Sequence, residues 1–431
     1  MKRALFSDDS IDLVEWISSG NTSRCLPSPK WPEKTSRVFT GVFNDIVSAT
    51  KYVDKMKREQ GQRFYNVKVH SISHKTTVPR PSTFNMSSIP KNVRSYIERE
   101  NAGVIEYRTE LYDKKLKVMF VVYEVDPLSN VDVFSKYFER IVTWLHMANK
   151  YASDKCGRDL SVFIYMTPFN KFLPANNIEI IGQEHANTAF TYSCPSKRSE
   201  IVIFRQEEWF KVFIHETFHL LSLDFSCMNA DNQCKQLVKK VFPINSEFRL
   251  YEAYTEAWAV IIHTSLCAYM CFSDTQVLSG FLATLKFLMG FELMFKVFQM
   301  HKILSFMGLD YSLLYSDTEL ARVSRETMYK EDTNVFAYHV ATTILLCNYP
   351  SFLEWCCSSN HSPMLFNKTV RNIDSFCNFL IRKHASPYTL RIINNITLPN
   401  GCYRKMIKNA KEMDSLYDVE RSMRMTVCEM L

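Results

Sequence analysis

Apolar residues between positions 131 and 151 return every three or four places, at Val133, Tyr137, Ile141, Trp144, Leu145 and Ala148. That period predicts an amphipathic helix. Before it, Val104-Ile105-Glu106-Tyr107-Arg108 and residues 116–125 are rich in β-formers, with Tyr112-Asp113-Lys114-Lys115 between them. This predicts a hairpin. After it, residues 160–166 predict an apolar strand. Residues 188–192 and 201–205 predict two more, joined by the polar turn Pro195-Ser196-Lys197-Arg198. A helix is expected over 206–223, with Glu207 and Glu208 in its first turn, where negative charge suits the helix dipole. The order is strand, strand, helix, three strands, helix. It predicts a small twisted mixed sheet backed by one helix and fronted by another.

Beyond residue 245 the spacing is helical almost throughout, over 246–270, 277–300, 334–347 and 403–417. The first 95 residues are less regular. Positions 11–17 and 43–57 have helical spacing, while Pro79-Arg80-Pro81 and Ser87-Ser88-Ile89-Pro90 read as loop. The expected class is α+β, with an accessory region over 1–100, an α/β lobe over 101–225 and a mainly helical lobe over 226–431.

Composition supports long regular elements: there are only 10 Gly against 31 Phe and 21 Tyr in 431 residues. The most apolar stretch, 281–298, contains Lys286, Glu292 and Lys296. It reads as a buried helix rather than a membrane span. The net charge of +7 is spread along the chain without interleaved aromatics, so no nucleic-acid partner is expected. The 13 cysteines are odd in number and irregular in spacing, which predicts free thiols in a reducing compartment rather than a disulfide framework. The start, Met1-Lys2-Arg3-Ala4-Leu5-Phe6-Ser7-Asp8-Asp9, meets acids too early for a signal peptide. A cytoplasmic location is expected, with Asn367-Lys368-Thr369 unused for glycosylation.

The chemistry centres on His215-Glu216-Thr217-Phe218-His219, inside the helix expected over 206–223. Two imidazoles at i and i+4 share one helix face, as a zinc site requires. Glu216 stands one step round, where a carboxylate can take a proton from water and return it to a leaving amine. A helix of this apolar character gains nothing from two histidines and a carboxylate unless they have partners. Serine-nucleophile, Walker and dinucleotide motifs do not occur.

One branch of zinc peptidases with this motif takes a third His or Asp six residues after the second His, with Gly three residues after it. Those places hold Phe225 and Ser222, and Asp224 is one residue out of register. Another branch uses a Glu from a second helix. Tyr251-Glu252-Ala253-Tyr254-Thr255-Glu256-Ala257-Trp258 offers two acids on one helical face. Over about residues 103–265 the chain resembles the gluzincins, the thermolysin-like clan of zinc metallopeptidases. The resemblance implies Zn2+ held by His215, His219 and Glu252, with Glu216 as general base and Glu256 orienting an imidazole. The reverse assignment of Glu252 and Glu256 stays open. An oxyanion donor is expected from the helical lobe, with Tyr338 and His339 as candidates and Tyr254 and His263 as others.

A narrower similarity lies in Asn187-Thr188-Ala189-Phe190-Thr191 and in the run from Phe204 into the motif. It is to uncharacterised HExxH proteins of large nucleocytoplasmic DNA viruses, and it implies a viral origin with a place in the host cytoplasm or virion. The expected function is hydrolysis of a peptide or protein substrate. The alternative is a zinc-binding structural or virion-associated protein without turnover. Neither the substrate nor the oligomeric state is written in the sequence.

Overall fold

The computed structural model describes residues 6–18, 27–72, 78–99, 102–271, 277–397 and 419–430. The class is α+β, as expected. In chain order the elements begin with α1 (Asp8–Ser18), α2 (Glu33–Gln60), β1 (Asn66–Ile72), α3 (Lys91–Ile97), β2 (Ala102–Leu111) and β3 (Lys114–Tyr123). Then come α4 (Val131–Asn149), β4 (Asp159–Tyr165), α5 (Gln183–Ala186), β5 (Ala189–Thr191), β6 (Ser199–Ile203) and α6 (Trp209–Leu220). The remainder is helical: α7 (Asp231–Val238), α8 (Leu250–Cys271), α9 (Leu278–Phe306), α10 (Glu319–Met328) and a π-helical turn (Phe336–Ala341). It continues with α11 (Thr342–Cys347), α12 (Tyr349–Ser359), α13 (Val370–Lys383) and α14 (Pro387–Thr397).

The chain divides into two units. One comprises Met1–Thr40, Lys171–Ala186 and Met228–Leu431; the other comprises Gly41–Asn170 and Asn187–Cys227. The residues expected to form an accessory N-terminal region are shared between the two. The helix expected over 403–417 lies outside the described residues.

The unit containing residue 41 holds a six-stranded mixed sheet of order β1-β2-β3-β4-β6-β5. β1, β2 and β3 run antiparallel, β3, β4 and β6 parallel, and β5 closes one edge antiparallel to β6. The β2–β3 hairpin turns on Tyr112 and Asp113 alone, both at positive φ (54° and 60°), so Lys114 and Lys115 already belong to β3. Two positive-φ residues suit the right-handed twist of the strands they join. β1 was not expected. Its Lys68 and His70 face solvent on an edge strand, where charge discourages pairing with another chain.

Alternate residues of β3 sort the two faces. Phe120 packs on Phe134 and Tyr137 of α4 and on Trp209 of α6. Both helices therefore share one face, rather than lying on opposite sides. Met119 and Val121 point the other way, into a cluster with Val78, Met86, Ile89, Val93 and Ile97. The segment expected to be loop thus covers that face. Glu200 of β6 pins it, accepting from Ser82 N (2.9 Å) and Thr83 N (2.8 Å).

The other unit is built round α8 and α9. α9 is apolar on all sides, yet Glu292, Lys296, Gln299 and Lys302 are buried in it. Each has a partner. Lys296 Nζ donates to Glu256 Oε1 of α8 at 2.9 Å. Lys302 Nζ donates to the carbonyls of Val419 (2.7 Å) and Ser422 (2.5 Å), and Gln299 Nε2 to that of Ser422 (3.2 Å). Glu292 accepts from Thr426 Oγ1 (2.7 Å), Val427 N (3.1 Å) and Cys428 N (2.9 Å). The C-terminal segment 419–430 is therefore held on α9 by polar groups that would otherwise be buried without partners. Among the described residues no helix is long and apolar enough to cross a membrane.

Glu292→Ala should strip two buried N–H groups of their acceptor and cost about 2–4 kcal/mol. Urea unfolding checks this, and an unchanged midpoint would show that the tail is not held there.

Candidate metal centre

β6 runs into α6 through a short turn. Gln206 N donates to Thr167 O (3.0 Å), and Glu208, at φ 59°, starts the helix. Glu207 and Glu208 thus precede α6 instead of occupying its first turn. All twelve residues of α6 are buried. Contacts from α4 hold it, among them Tyr137 against Trp209. Trp144 Nε1 donates to Thr217 Oγ1 (2.5 Å), which donates to Ile214 O (2.7 Å), and the Trp144 ring stacks on Phe218. Thr217 and Phe218, the two residues between Glu216 and His219, thereby fix the helix from behind.

The C-terminus of α6 closes with paired bonds. Ser222 N donates to His219 O (2.9 Å) and Leu223 N to Phe218 O (2.8 Å), with Ser222 left-handed at φ 55°. This is the Schellman arrangement, with serine where glycine is usual. It turns the chain back so that Asp224, fully buried, meets His219: Nδ1 of the imidazole donates to Asp224 Oδ2. Asp224 Oδ1 in turn accepts from Ser226 N (3.1 Å) and Ser226 Oγ (2.7 Å). A proton fixed on Nδ1 leaves Nε2 of His219 as a lone-pair donor.

That Nε2 lies 3.1 Å from Nε2 of His215, the two rings standing 78° apart. Two nitrogens bound to one tetrahedral zinc stand about 3.3 Å apart. His215, His219 and Glu252 are all buried, and their ligand atoms lie within 4.8 Å of one another. This group can hold a metal ion, and its two-nitrogen, one-carboxylate donor set suits one. Exposures of 6% for His215 and 8% for Glu216, His219 and Glu252 leave each a small opening to solvent.

A disulfide, Cys156–Cys194, adds a covalent tie near the end of α6, since Cys194 N donates to the carbonyl of Leu220 at 3.1 Å. The neighbouring Gly157 is left-handed (φ +72°) and a Cβ there would stand 3.1 Å from Leu221, so this position needs glycine. The disulfide corrects the expectation that the cysteines are free thiols. The nine other cysteines among the described residues stand outside this disulfide.

Glu252 and Glu256 lie one turn apart on α8. Glu256 is ion-paired with Lys296, both almost wholly buried. The segment holding Tyr338 and His339 adjoins the start of α8: Asn334 Oδ1 accepts from Arg249 N (3.1 Å), and Thr342 Oγ1 donates to Ala253 O (3.5 Å). Here the helix expected over 334–347 opens into a π-turn. Glu331 caps it, accepting from Val335 N, Phe336 N, Ser246 Oγ and Tyr329 OH. His339 is fully buried and neither ring nitrogen has a hydrogen-bond partner. Burial, then the charge of Lys296 and other lysines, holds its pKa well below the ordinary histidine value. Tyr338 is half-buried. Tyr254 donates to Met364 O (3.3 Å) and His263 is buried in α8.

Pattern reading gave no role to Asp224, because its contact with His219 follows no spacing rule and depends on the left-handed turn at Ser222. Asp224→Asn should preserve the turn but weaken metal affinity about 10- to 100-fold, read by competition with a chelator. Unchanged affinity would remove Asp224 from the site. Comparison of the chain with family models, curated protein sequences and solved structures returned no match.

Proposed function

We propose that the chain is a zinc-dependent peptidase of gluzincin type. The observation that carries this reading is the buried His215, His219 and Glu252 group, with Glu216 between the two histidines in sequence. Histidine nitrogens and one carboxylate favour zinc over calcium or magnesium, which take oxygen ligands. Three protein ligands, rather than four, leave a position open for chemistry. Of the two acids on α8, Glu252 is the ligand in this reading, since Glu256 neutralises Lys296. The orienting role expected of Glu256 falls to Asp224, which already holds His219.

Zinc in such a site supplies a water acidified to a pKa of about 7 and polarises a carbonyl. The chain's own residues do the rest. Glu216 takes the proton from the attacking water and delivers it to the departing amine. Tyr338, half-buried on the π-turn, is preferred over His339 as the donor to the developing oxyanion. His339 is closed in and held neutral among lysines. The substrate is a peptide or protein.

Protein purified without chelator should carry about one zinc per chain, lost in His215→Ala and His219→Ala. Glu216→Gln should retain zinc while cleavage of a peptide library falls by at least about 1000-fold. Identical cleavage profiles for wild type and Glu216→Gln would sink the peptidase reading and leave a metal-binding protein without turnover. Greater zinc loss in Glu256→Ala than in Glu252→Ala would exchange the roles of the two acids.

A further inference from the structure

The register of the sheet puts Leu111, Lys114, Leu116 and Leu160 on one face. Leu111 pairs with Lys114 across the β2–β3 turn, and Leu116 with Leu160 across β3 and β4. Cross-strand partners point the same way, and alternate residues of one strand share a face. In β3 this is the face of Phe120, which α4 and α6 cover. The cover thins at the hairpin end, because α4 stops at Asn149 and α6 at Leu220. There the strand residues, with Leu145, Asn149 and Leu221, line a surface cavity of about 40 Å³. Leu111, Leu116, Leu160 and Leu221 are buried, and Leu145 is half-buried.

One charged group stands in this apolar lining. Lys114 is half-buried and its Nζ donates to Asn149 Oδ1 at 2.8 Å. Among the described residues no carboxylate lies within ion-pair reach of it. Burial lowers its pKa below the ordinary lysine value, with Asp154 opposing and Arg158 assisting. An ammonium partly withdrawn from water beside a neutral amide lacks a counter-charge, and a bound anion supplies one. An apolar cavity with a few polar groups that fix orientation is the usual form of a small-ligand site.

We propose that this cavity binds a short branched alkyl carboxylate. One water-sized group needs about 10–15 Å³, so the space suits an alkyl group of about three or four carbons rather than a fatty-acid chain. The leucines take the alkyl group. Lys114 Nζ takes one carboxylate oxygen, and Asn149, whose Oδ1 is already used, offers Nδ2 to the other. A free branched-chain acid and the C-terminal leucine of a peptide carry this same chemistry.

The test is titration calorimetry of the full chain with 4-methylpentanoate and with N-acetyl-leucine, against 4-methylpentanamide and acetate. At least one of the two alkyl carboxylates should bind with a Kd of about 1 mM. Binding of 4-methylpentanoate alone assigns the site to free acids, and binding of N-acetyl-leucine alone assigns it to peptide ends. The amide, which lacks the charge, and acetate, which lacks the alkyl group, should each bind at least about 10-fold more weakly. Lys114→Met should weaken the carboxylate about 10-fold and leave the amide unchanged. Leu145→Phe, which fills the cavity from a half-buried position, should abolish binding without lowering the melting temperature. Absence of saturable binding by both alkyl carboxylates at ten times that concentration overturns the proposal. So does equal binding of acid and amide, or carboxylate binding that survives both substitutions.

Discussion

Two imidazole nitrogens face each other across 3.1 Å on one buried helix, and the surrounding unit is arranged to keep them there. Without a cation, one ring must donate to the other. Asp224 already holds the Nδ1 proton of His219, so with His219 neutral the donor is His215. With a cation, both lone pairs have the same partner. The supports are unequal in kind but converge on α6. Trp144 fixes the middle of the helix through Thr217, the Ser222 turn brings Asp224 beneath His219, and Cys194 bonds the last carbonyl. A site held by packing, hydrogen bonds and a covalent link keeps its donors in place before any ligand arrives.

In the other unit the governing constraint is charge in an apolar interior. A helix like α9 could not bury Glu292, Lys296 and Lys302 unless each found a partner, and the partners dictate what packs against it. Lys296 requires an acid on α8, which is Glu256. Glu292 and Lys302 require backbone groups, which the C-terminal segment supplies. The same demand sorts the two acids of α8. One neutralises a buried lysine, and the other belongs to the group that can hold a metal.

Local spacing was legible in the sequence. The i, i+4 histidines, the amphipathic α4, the β2–β3 hairpin and the charged residues that mark α9 as buried rather than membranous all rest on periods of two or 3.6 residues. Features set by distant partners were not legible. Asp224 looked misplaced because it falls one residue short of the third-ligand spacing, whereas the left-handed turn at Ser222 brings it to His219 as a hydrogen-bond partner. The choice between Glu252 and Glu256 depends on Lys296, forty residues further on. The loop-like run at 79–90 gave no sign that it covers a sheet face, since Glu200 anchors it. Thr369, read as part of a glycosylation sequence, is the N-cap of α13, accepting from Asn372 N at 3.2 Å. α13 and α14 went unnamed although their buried residues do keep helical spacing, Ile373, Phe376, Cys377 and Leu380 in one and Thr389, Ile392, Ile393 and Ile396 in the other. The free-thiol reading failed at Cys156–Cys194, whose pairing is a matter of fold rather than spacing.

The central claim is that His215, His219 and Glu252 bind one zinc ion. X-ray absorption at the zinc edge, on protein purified without chelator, tests it most directly. The account predicts stoichiometric zinc with two imidazole nitrogens at about 2.0–2.1 Å, oxygen in the remaining positions and no sulfur. A sulfur shell at about 2.3 Å, or no stoichiometric zinc, would contradict it.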